Sequence, residues 1–565
     1  MSSPVFEAAP VAATTTFPDI DAAVARVAAK KDDWPKVGVV ERIGYLRRCL
    51  EGVLAAAPAW VADGCKLKGI AAGDPLAGEE WLAGPMTTVR NLRLLIGALE
   101  AGGAPTPPAL REREGGQKIA RVFPTDTRDK IMFGGFTAEV WIEPGKPASQ
   151  GRIYREGRGQ PGKVALVLGA GNVSSIPPMD VLYKLFVENE VCVLKVNPVN
   201  AFVAPHLERG FKPLIDDGYL AIVKGGADVG AHLADHPKID TLHVTGSDRT
   251  YDAIVWGPTR EEQERRKASG EKKNPRPFTA ELGCVTPVLV VPGPWSEADL
   301  DFQARHVAGM VAQNASFNCN AAKVVVTARG WDQRDAFLRK LHETLARTPA
   351  RKAYYPGAQQ RFTGFLEKYP QAKQVGSTGK DVVPWTVIPD VPPEEGEYAL
   401  TNEAFCGVLA ETALDAGDAR QFLARAVDFA NDRCWGTLSC CVLVHPETEK
   451  TLKREFEDAV AKLRYGGIGI NVWPGVIYGL VVTSWGAYPG HPPEDIQSGA
   501  GVVHNSFLFD YPEKSVVRAP FRIKPTPVWF PDHRNLAELG KRLTAMEAEP
   551  GWGKLFKVAA AALKG

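Results

Sequence analysis

The sequence has no Cys-x-x-Cys pair, no apolar run approaching about eighteen residues, and almost no net charge. Each absence removes a class of protein. Without paired cysteine ligands a structural zinc site is not expected, and no other metal site is read from the sequence. Without a long apolar run no transmembrane helix is expected. Sixty-seven basic residues face sixty-six acidic ones, so neither nucleic acid nor an anionic membrane is favoured as a partner. The nine cysteines are odd in number and scattered, some inside apolar runs such as Val191-Cys192-Val193-Leu194. Reduced thiols in a cytoplasmic protein fit this better than a disulfide framework. Residues 1–16 are rich in Ala, Pro and Thr, with no basic n-region and no apolar h-region. They read as a loose tail rather than a signal peptide. No repeat with a period of about 20–50 residues is present, so a solenoid is not supported.

What is present is an alternation of strand and helix patterns. At 565 residues the chain is too long for one core. Helical periodicity marks 41–62, with Ile43, Leu46, Leu50 and Leu54 on one face, and then 89–99. Pro and Gly break the chain at 102–108. Short apolar strand patterns follow at 164–168, 191–194, 220–223 and 242–244. Helical stretches at 181–187, 205–214 and 229–235 separate them. Residues 258–278 are a charged interruption that reads as a solvated surface helix and loop. The alternation resumes with strands at 288–291 and 324–327, a helix at 331–345, a strand at 440–444 and a helix at 448–463. Gly466-Gly467 is expected to cap that helix before a strand starting at 468. Such alternation implies βαβ units and a parallel sheet.

One short polar stretch stands out. Ser296 with Asp299 reads as a capping pair, and Leu300, Ala304, Val307 and Val311 recur at helical spacing up to it. A β-branched run, 324–326, follows. Between them Asn314-Ala-Ser-Phe-Asn-Cys319 places one thiol in a loop between two regular elements, where reactive groups often sit. Alone, such a cysteine reads as a packed core residue. Five other segments change that reading. They are Gly171-Asn172, Lys195-Val-Asn-Pro198, Thr245-Gly246-Ser247, Glu281-Leu-Gly-Cys284 with Thr286-Pro287, and Glu403-Ala-Phe405.

Together and in this order, over about residues 35–520, these segments resemble the aldehyde dehydrogenase superfamily, of which the chain looks like a divergent member. The resemblance implies an α/β fold with two Rossmann-like lobes, one cofactor-binding and one catalytic, and a small β oligomerisation arm. It divides the chain into a loose tail over 1–34 and an NAD(P)-binding domain over 35–285, with arm strands near 136–158. A catalytic domain carrying Cys319 then covers 286–510, and an arm strand with a C-terminal extension covers 511–565. The candidate arm strands are 136–143, 151–155 and 515–518. Homodimers or homotetramers are implied.

The chemistry supplies an independent reason for such a set. Aldehyde oxidation by hydride transfer first needs a tetrahedral carbon, which a thiolate makes, and its oxyanion needs hydrogen-bond donors. A carboxylate then activates water to hydrolyse the resulting thioester. By resemblance Cys319 is the nucleophile, Glu281 the general base and Asn172 the side-chain oxyanion donor. The plainer readings are a turn residue for Asn172 and a surface carboxylate for Glu281. Cys284 stands where the family usually has glycine, and reads as a second thiol in the site or as a core residue.

The cofactor implied is NAD or NADP. Gly169-x-Gly171-x-x-Ser174 lacks the third glycine and the following acidic residue, so it is not a dinucleotide fingerprint. The resemblance instead puts the pyrophosphate near Thr245, Gly246 and Ser247, at a helix start, with Gly225 close by. It puts the adenosine ribose at Lys195, and the nicotinamide ribose and ring at Glu403 and Phe405. Phe405 reads equally well as a core aromatic. Pro198 replaces the glutamate that usually holds the adenosine ribose, which leaves NADP open. Substrate is expected to be a bulky or apolar aldehyde, from Phe317 and from Val472, Trp473, Pro474, Val476, Ile477, Tyr478, Trp485 and Tyr488. No Arg or Lys lies between Asn471 and Tyr488 to pair with an anionic substrate. The alternatives are an acyl-CoA reductase or CoA-acylating aldehyde dehydrogenase, and an inactive structural member of the family.

Overall fold

The computed structural model describes residues 14–156 and 159–565. Residues 1–13 of the expected tail lie outside the described residues. The tail ends earlier than expected, because Phe17–Ala28 is a helix. Thr16 caps it, and Ile20, Val24 and Val27 are buried in the core of the first lobe. Periodic apolar residues behind a capping threonine are a helix signal that the Ala/Pro-rich start conceals.

The first lobe is a six-stranded sheet in the order Gly499–Ala500, Phe278–Leu282, Thr241–Gly246, Val164–Leu168, Val191–Val196, Leu220–Lys224. All pairs are parallel except the short antiparallel edge at Gly499. Val164–Leu168 and Val191–Val196 are buried throughout, as expected of strands covered on both faces. The helix Val39–Lys68 covers this lobe. It is longer than its apolar periodicity suggests, and ends at Gly69, whose φ of 67° closes a left-handed cap. That extra length carries Lys68 toward the centre of the molecule. A π-turn, Leu82–Met86, then leads into Thr87–Glu100.

The second lobe is an eleven-stranded sheet. Seven parallel strands form its centre: Pro512–Arg518, Gly467–Ile470, Ser439–Leu443, Thr286–Val290, Ala322–Ala328, Val408–Leu414 and Thr386–Ile388. Antiparallel strands extend both edges.

The arm departs from expectation in two ways. The strand Thr137–Ile142 does pair antiparallel with Pro512–Arg518, but Pro512–Arg518 pairs in turn with Gly467–Ile470 of the same chain. The arm therefore completes this chain's own sheet. Residues 151–155 are not a strand: Gly151 turns with φ 61° and a short helix, Arg152–Glu156, follows. Only Gln150 bridges to Phe509 there.

Two smaller expectations also change. The 448–463 stretch is two helices, Pro446–Thr451 and Lys453–Lys462, broken at Leu452. Gly467 opens the next strand rather than capping the helix. The charged 258–278 segment holds the solvated helix Arg260–Ser269, none of whose residues is buried.

The chain ends in two helices, Leu536–Ala548 and Trp552–Ala562, with their own apolar cluster around Leu539, Met546, Leu555 and Val558. The docked N-terminal helix gives a direct test. Ile20→Ala should lower unfolding free energy by about 3 kcal/mol in denaturant titration, as for a large core side chain. A loose tail would give no change.

Candidate active site

The helix Glu297–Ala312 begins with the capping box of Ser296 and Asp299 and ends at Ala312. The chain then turns through three consecutive non-glycine residues in left-handed backbone, Asn314 at φ 53°, Ala315 at 54° and Ser316 at 68°. Such residues cost roughly 1–3 kcal/mol each and persist only when surroundings hold them. The holding groups are visible. Asn314 N–H donates to Glu79 Oε2 at 3.2 Å. Its side-chain oxygen accepts from Lys68 Nζ at 2.9 Å and Tyr354 OH at 3.0 Å. Its amide nitrogen lies 3.1 Å from the Asn172 carbonyl and 3.2 Å from that of Phe317.

Behind Asn314 sits a buried charge cluster. Lys68 pairs with Glu80 at 2.7 Å, both under a tenth exposed. The Arg351 fork holds both oxygens of Glu79, at 3.1 and 2.7 Å. Breaking such a pair leaves an uncompensated buried charge, typically costing about 3–5 kcal/mol. None of these four residues belongs to a motif legible in sequence.

This turn presents Cys319 between two cavities. The strands fix its surroundings. Asn172 follows Val164–Leu168, and its Nδ2 donates to the Phe317 carbonyl at 2.9 Å. Glu281 lies on Phe278–Leu282, buried, with Oε1 lacking a hydrogen-bond partner among the described residues. Its carboxyl is pushed up to about 8, first by burial and then by the nearby Asp180, while the Cys319 thiol within hydrogen-bonding reach pulls it back. Cys319 itself is half-buried, and its thiol is pushed well above its ordinary value by burial and by the charges of Glu281 and Glu403. Lys323 opposes this. Its ammonium donates to the carbonyls of Asn318, Cys319 and Ala321 and pairs with Glu403 at 3.1 Å.

A cavity of about 270 Å³ lies on one side of the thiol and one of about 710 Å³ on the other. Asn172, Glu281 and Cys319 line both. The larger one is also lined by Lys195, Thr245, Gly246, Ser247, Glu403 and Phe405. Burial depresses the Lys195 ammonium to about 8, with only Asp228 opposing. Ser247 caps the helix Asp248–Val255. Phe405 is held at φ 43° by Arg361, which donates to the Ala404 and Phe405 carbonyls. Gly225 does not line this cavity. Gly226 does, while a Cβ on Gly225 would lie 2.3 Å from Val229.

Three further residues fall elsewhere than expected. Cys284 is fully buried, with its thiol against the Ser439 carbonyl, and lines neither cavity. Its backbone N–H instead donates to the Glu403 carboxyl. Phe317 is buried among Tyr354, Tyr355 and Phe405, so it is the Phe317 carbonyl that serves the site. Tyr488 bonds Glu513, away from the smaller cavity, whereas Trp473, Val476, Tyr478 and Trp485 do line it. Arg90, Lys524 and Glu547 line that cavity too, and the sequence reading gave none of them a role in the site.

Comparison with known proteins follows the same outline. The aldehyde dehydrogenase family model matches residues 172–376. A Staphylococcus aureus protein provisionally named an aldehyde dehydrogenase is 29% identical over 160 residues. That stretch covers 28% of this chain and only 30% of the relative. Among solved structures, an NAD-dependent aldehyde dehydrogenase from Sinorhizobium meliloti superposes with a TM-score of 0.59 at 18% identity, covering 93% of this chain and 92% of that one. An NADP-dependent glyceraldehyde-3-phosphate dehydrogenase from Bacillus halodurans, solved with NADP, gives 0.59 at 16% identity, covering 91% and 96%. A variant of aldehyde dehydrogenase C from Pseudomonas syringae, solved with NAD+ and octanal, gives 0.58 at 16%, covering 93% and 95%. At these identities the structures attest the fold, and the family model attests the stretch that holds Glu281 and Cys319. The chain thus shares the aldehyde dehydrogenase fold along its length and matches the aldehyde dehydrogenase family model over residues 172–376.

Proposed function

We propose that this protein oxidises an aldehyde to a carboxylic acid with NAD or NADP, through a covalent intermediate on Cys319. The observation that carries the reading is that Asn172, Glu281 and Cys319 alone among the proposed catalytic and cofactor groups line both cavities. A reacting carbon at the thiol would therefore meet one cavity on each side.

The residues of the larger cavity fit a dinucleotide. Its volume is in the range of cofactor sites. Lys195 offers a nearly buried ammonium for ribose hydroxyls, and the amide end of Asp248–Val255 at Ser247 suits a phosphate. Glu403 and Phe405 would hold the nicotinamide end. Pro198 lines this wall, and the lining carboxylate of Asp235 is tied to Lys273 at 3.0 Å. NAD and NADP both satisfy this wall. The dinucleotide, when bound, supplies the hydride acceptor.

The chain's own residues do the rest. The Cys319 thiol starts protonated, and Glu281 is the carboxylate within reach of that proton. Addition of the sulfur to the aldehyde carbon puts negative charge on oxygen. The Asn172 amide, fixed by its bond to Phe317, is the side-chain donor for it, beside the backbone N–H of Cys319. Once the carbon is at the thioester level and Glu281 has passed the thiol's proton on to solvent, its carboxylate takes a proton from water so that the hydroxide attacks the acyl carbon. The sulfur leaves and the acid departs. The unpartnered Oε1 of Glu281 is the atom suited to that water.

All nine cysteines are free thiols, which accords with a reducing, cytoplasmic setting. An assembly of several copies would use a surface other than the arm. The edge strand Ala109–Glu112, exposed along its length, is one open edge of the larger sheet.

Cys319→Ala should lower NAD(P)H formation by roughly 10⁴-fold or more while the thermal unfolding profile stays intact. Glu281→Gln should slow turnover by about 10²–10⁴-fold, with free acid as the wild-type product whether or not CoA is added. Strict dependence on CoA would instead make the enzyme a CoA-acylating one, in which no water-activating base is needed.

Glu281 also fixes the pH behaviour. Turnover limited by its basicity should climb with pH and level off above about 8. Stability should run the other way. A carboxyl raised from 4.5 to about 8 on folding stabilises fully at low pH, and that contribution is lost as pH rises through the window. Relative to Glu281→Gln, the wild type should lose stability between pH 4.5 and about 8 and no more above it. Parallel melting curves across pH would show the same offset throughout if Glu281 were not shifted.

A further inference from the structure

The smaller cavity is not closed by the two lobes alone. Twelve of its thirty-seven lining residues lie between 523 and 562, in the last segment of the chain. They enter from three places: the run Ile523–Trp529, Leu539, Leu543 and Glu547 on Leu536–Ala548, and Val558 with Ala562 on Trp552–Ala562. Cys319 and Asn172 line the same cavity as these side chains.

The terminal helices are built into the molecule. A Cβ on Gly78 would lie 2.3 Å from the Leu536 carbonyl carbon, and one on Gly540 would lie 2.7 Å from the Trp81 Cβ. Helix Leu536–Ala548 thus meets Ala77–Trp81 at near backbone contact, which only glycine allows. Glu547 locks the far end. It is buried, pairs with Arg90 at 2.6 Å and also with Arg93, and these partners hold its carboxyl below the usual range against the effect of burial. Arg90 further donates to the Leu480 carbonyl at 2.8 Å.

Charged groups on this wall are held in two buried ion pairs. Arg90 answers Glu547, Arg351 answers Glu79, and Lys524 is exposed to solvent. Apart from Asn172, Glu281 and a few other polar side chains such as Gln313 and Asn318, the rest of the lining is mostly aliphatic and aromatic. A ligand carrying an ionised group at its far end would have to bury it without a partner, whereas an apolar tail would trade water for carbon.

We infer that residues 523–562 complete the substrate cavity and make the enzyme select aldehydes with an extended, uncharged apolar tail, with Leu539, Leu543, Val558 and Ala562 as the residues that read the tail. The inference rests on the aldehyde-oxidising reading of Cys319 and names the substrate class of that site. The carbonyl carbon lies at the thiol, and the tail runs along the wall toward the terminal helices. Chain length is then limited by the side chain at 543 and 562.

The test compares kcat/KM for propanal and decanal in wild type, Leu543→Trp and Ala562→Phe, with calorimetric binding of 1-decanol to each full-length protein. Wild type should favour decanal by at least about tenfold, the scale on which hydrophobic pockets separate ligands by size. Each variant should lose at least about tenfold on decanal, stay within about threefold on propanal, and lose decanol binding while still binding NAD or NADP. Equal losses on both aldehydes, or no loss on decanal, would overturn the inference. So would wild-type protein that does not bind decanol. If decanol binds wild type and not the variants, yet no aldehyde is oxidised, the wall stands and the catalytic reading fails. Using two variants at different depths guards against one of them simply misfolding.

Discussion

Asn314, Ala315 and Ser316 hold three successive left-handed conformations, and the rest of the site depends on their being kept there. Without that turn the helix Glu297–Ala312 would run on, and the thiol five residues beyond Asn314 would point elsewhere. What keeps the turn is electrostatic. Lys68, Glu79, Glu80 and Arg351 form a buried cluster whose hydrogen bonds reach the Asn314 backbone and side chain. Buried charges are weak evidence for stability in general, since their desolvation offsets their attraction. Here they do something more specific: they fix one backbone geometry out of several. Asn314 then spans to Asn172 and Phe317, so the loop carrying Cys319 and the Asn172 turn are locked to each other.

The same arrangement explains the resting electrostatics. Cys319 and Glu281 share a shielded space with Asp180 and Glu403 nearby, so both the thiol and the carboxyl are driven toward their neutral forms. Neutral partners tolerate burial without a counter-ion. Lys323 is the one ammonium beside them, and it is spent on loop carbonyls and on Glu403. Once Glu281 has lost its proton, its carboxylate stands within reach of the Cys319 thiol, so a single proton can pass from sulfur to oxygen, and both groups line both cavities. The wall built by the last forty residues belongs to the same logic, because largely apolar surroundings strengthen the electrostatic contacts beside Cys319.

Much of this was legible in the sequence, and the parts that were not share a physical reason. Val164–Leu168 and Val191–Val196 announce buried parallel strands because both faces must be apolar. Asn172, Glu281, Cys319, Lys195, Ser247, Glu403 and Phe405 were found because short segments around them resemble a family in order, and all of them line one cavity or both. Gly225 was one residue off, since cavity lining is decided by which side of a turn faces inward. Phe317 and Tyr488 were read by type, as aromatic, where the fold uses one for its carbonyl and buries the other's hydroxyl on Glu513. Lys68, Glu79, Glu80 and Arg351 carry no local signal, because a charged cluster assembled from distant segments looks in sequence like ordinary surface. The terminal helices could have been found: Leu536, Leu539, Leu543 and Met546 recur at helical spacing. Their role could not, because it depends on which face of which cavity they meet. That 137–142 and 512–518 pair within this chain's own sheet was not legible, because an edge strand satisfies its hydrogen bonds equally in its own sheet or in a partner's.

The central claim is that Cys319, and no other thiol, becomes acylated between the two cavities. Mass spectrometry of Glu281→Gln, incubated with decanal and NAD or NADP and quenched in acid, tests it most directly, because slowed hydrolysis should let the acyl-enzyme accumulate. The account predicts a decanoyl adduct on the peptide containing Cys319, absent without the dinucleotide. An adduct on Cys284 or another cysteine, or acid product formed with no protein adduct at any time, would contradict it.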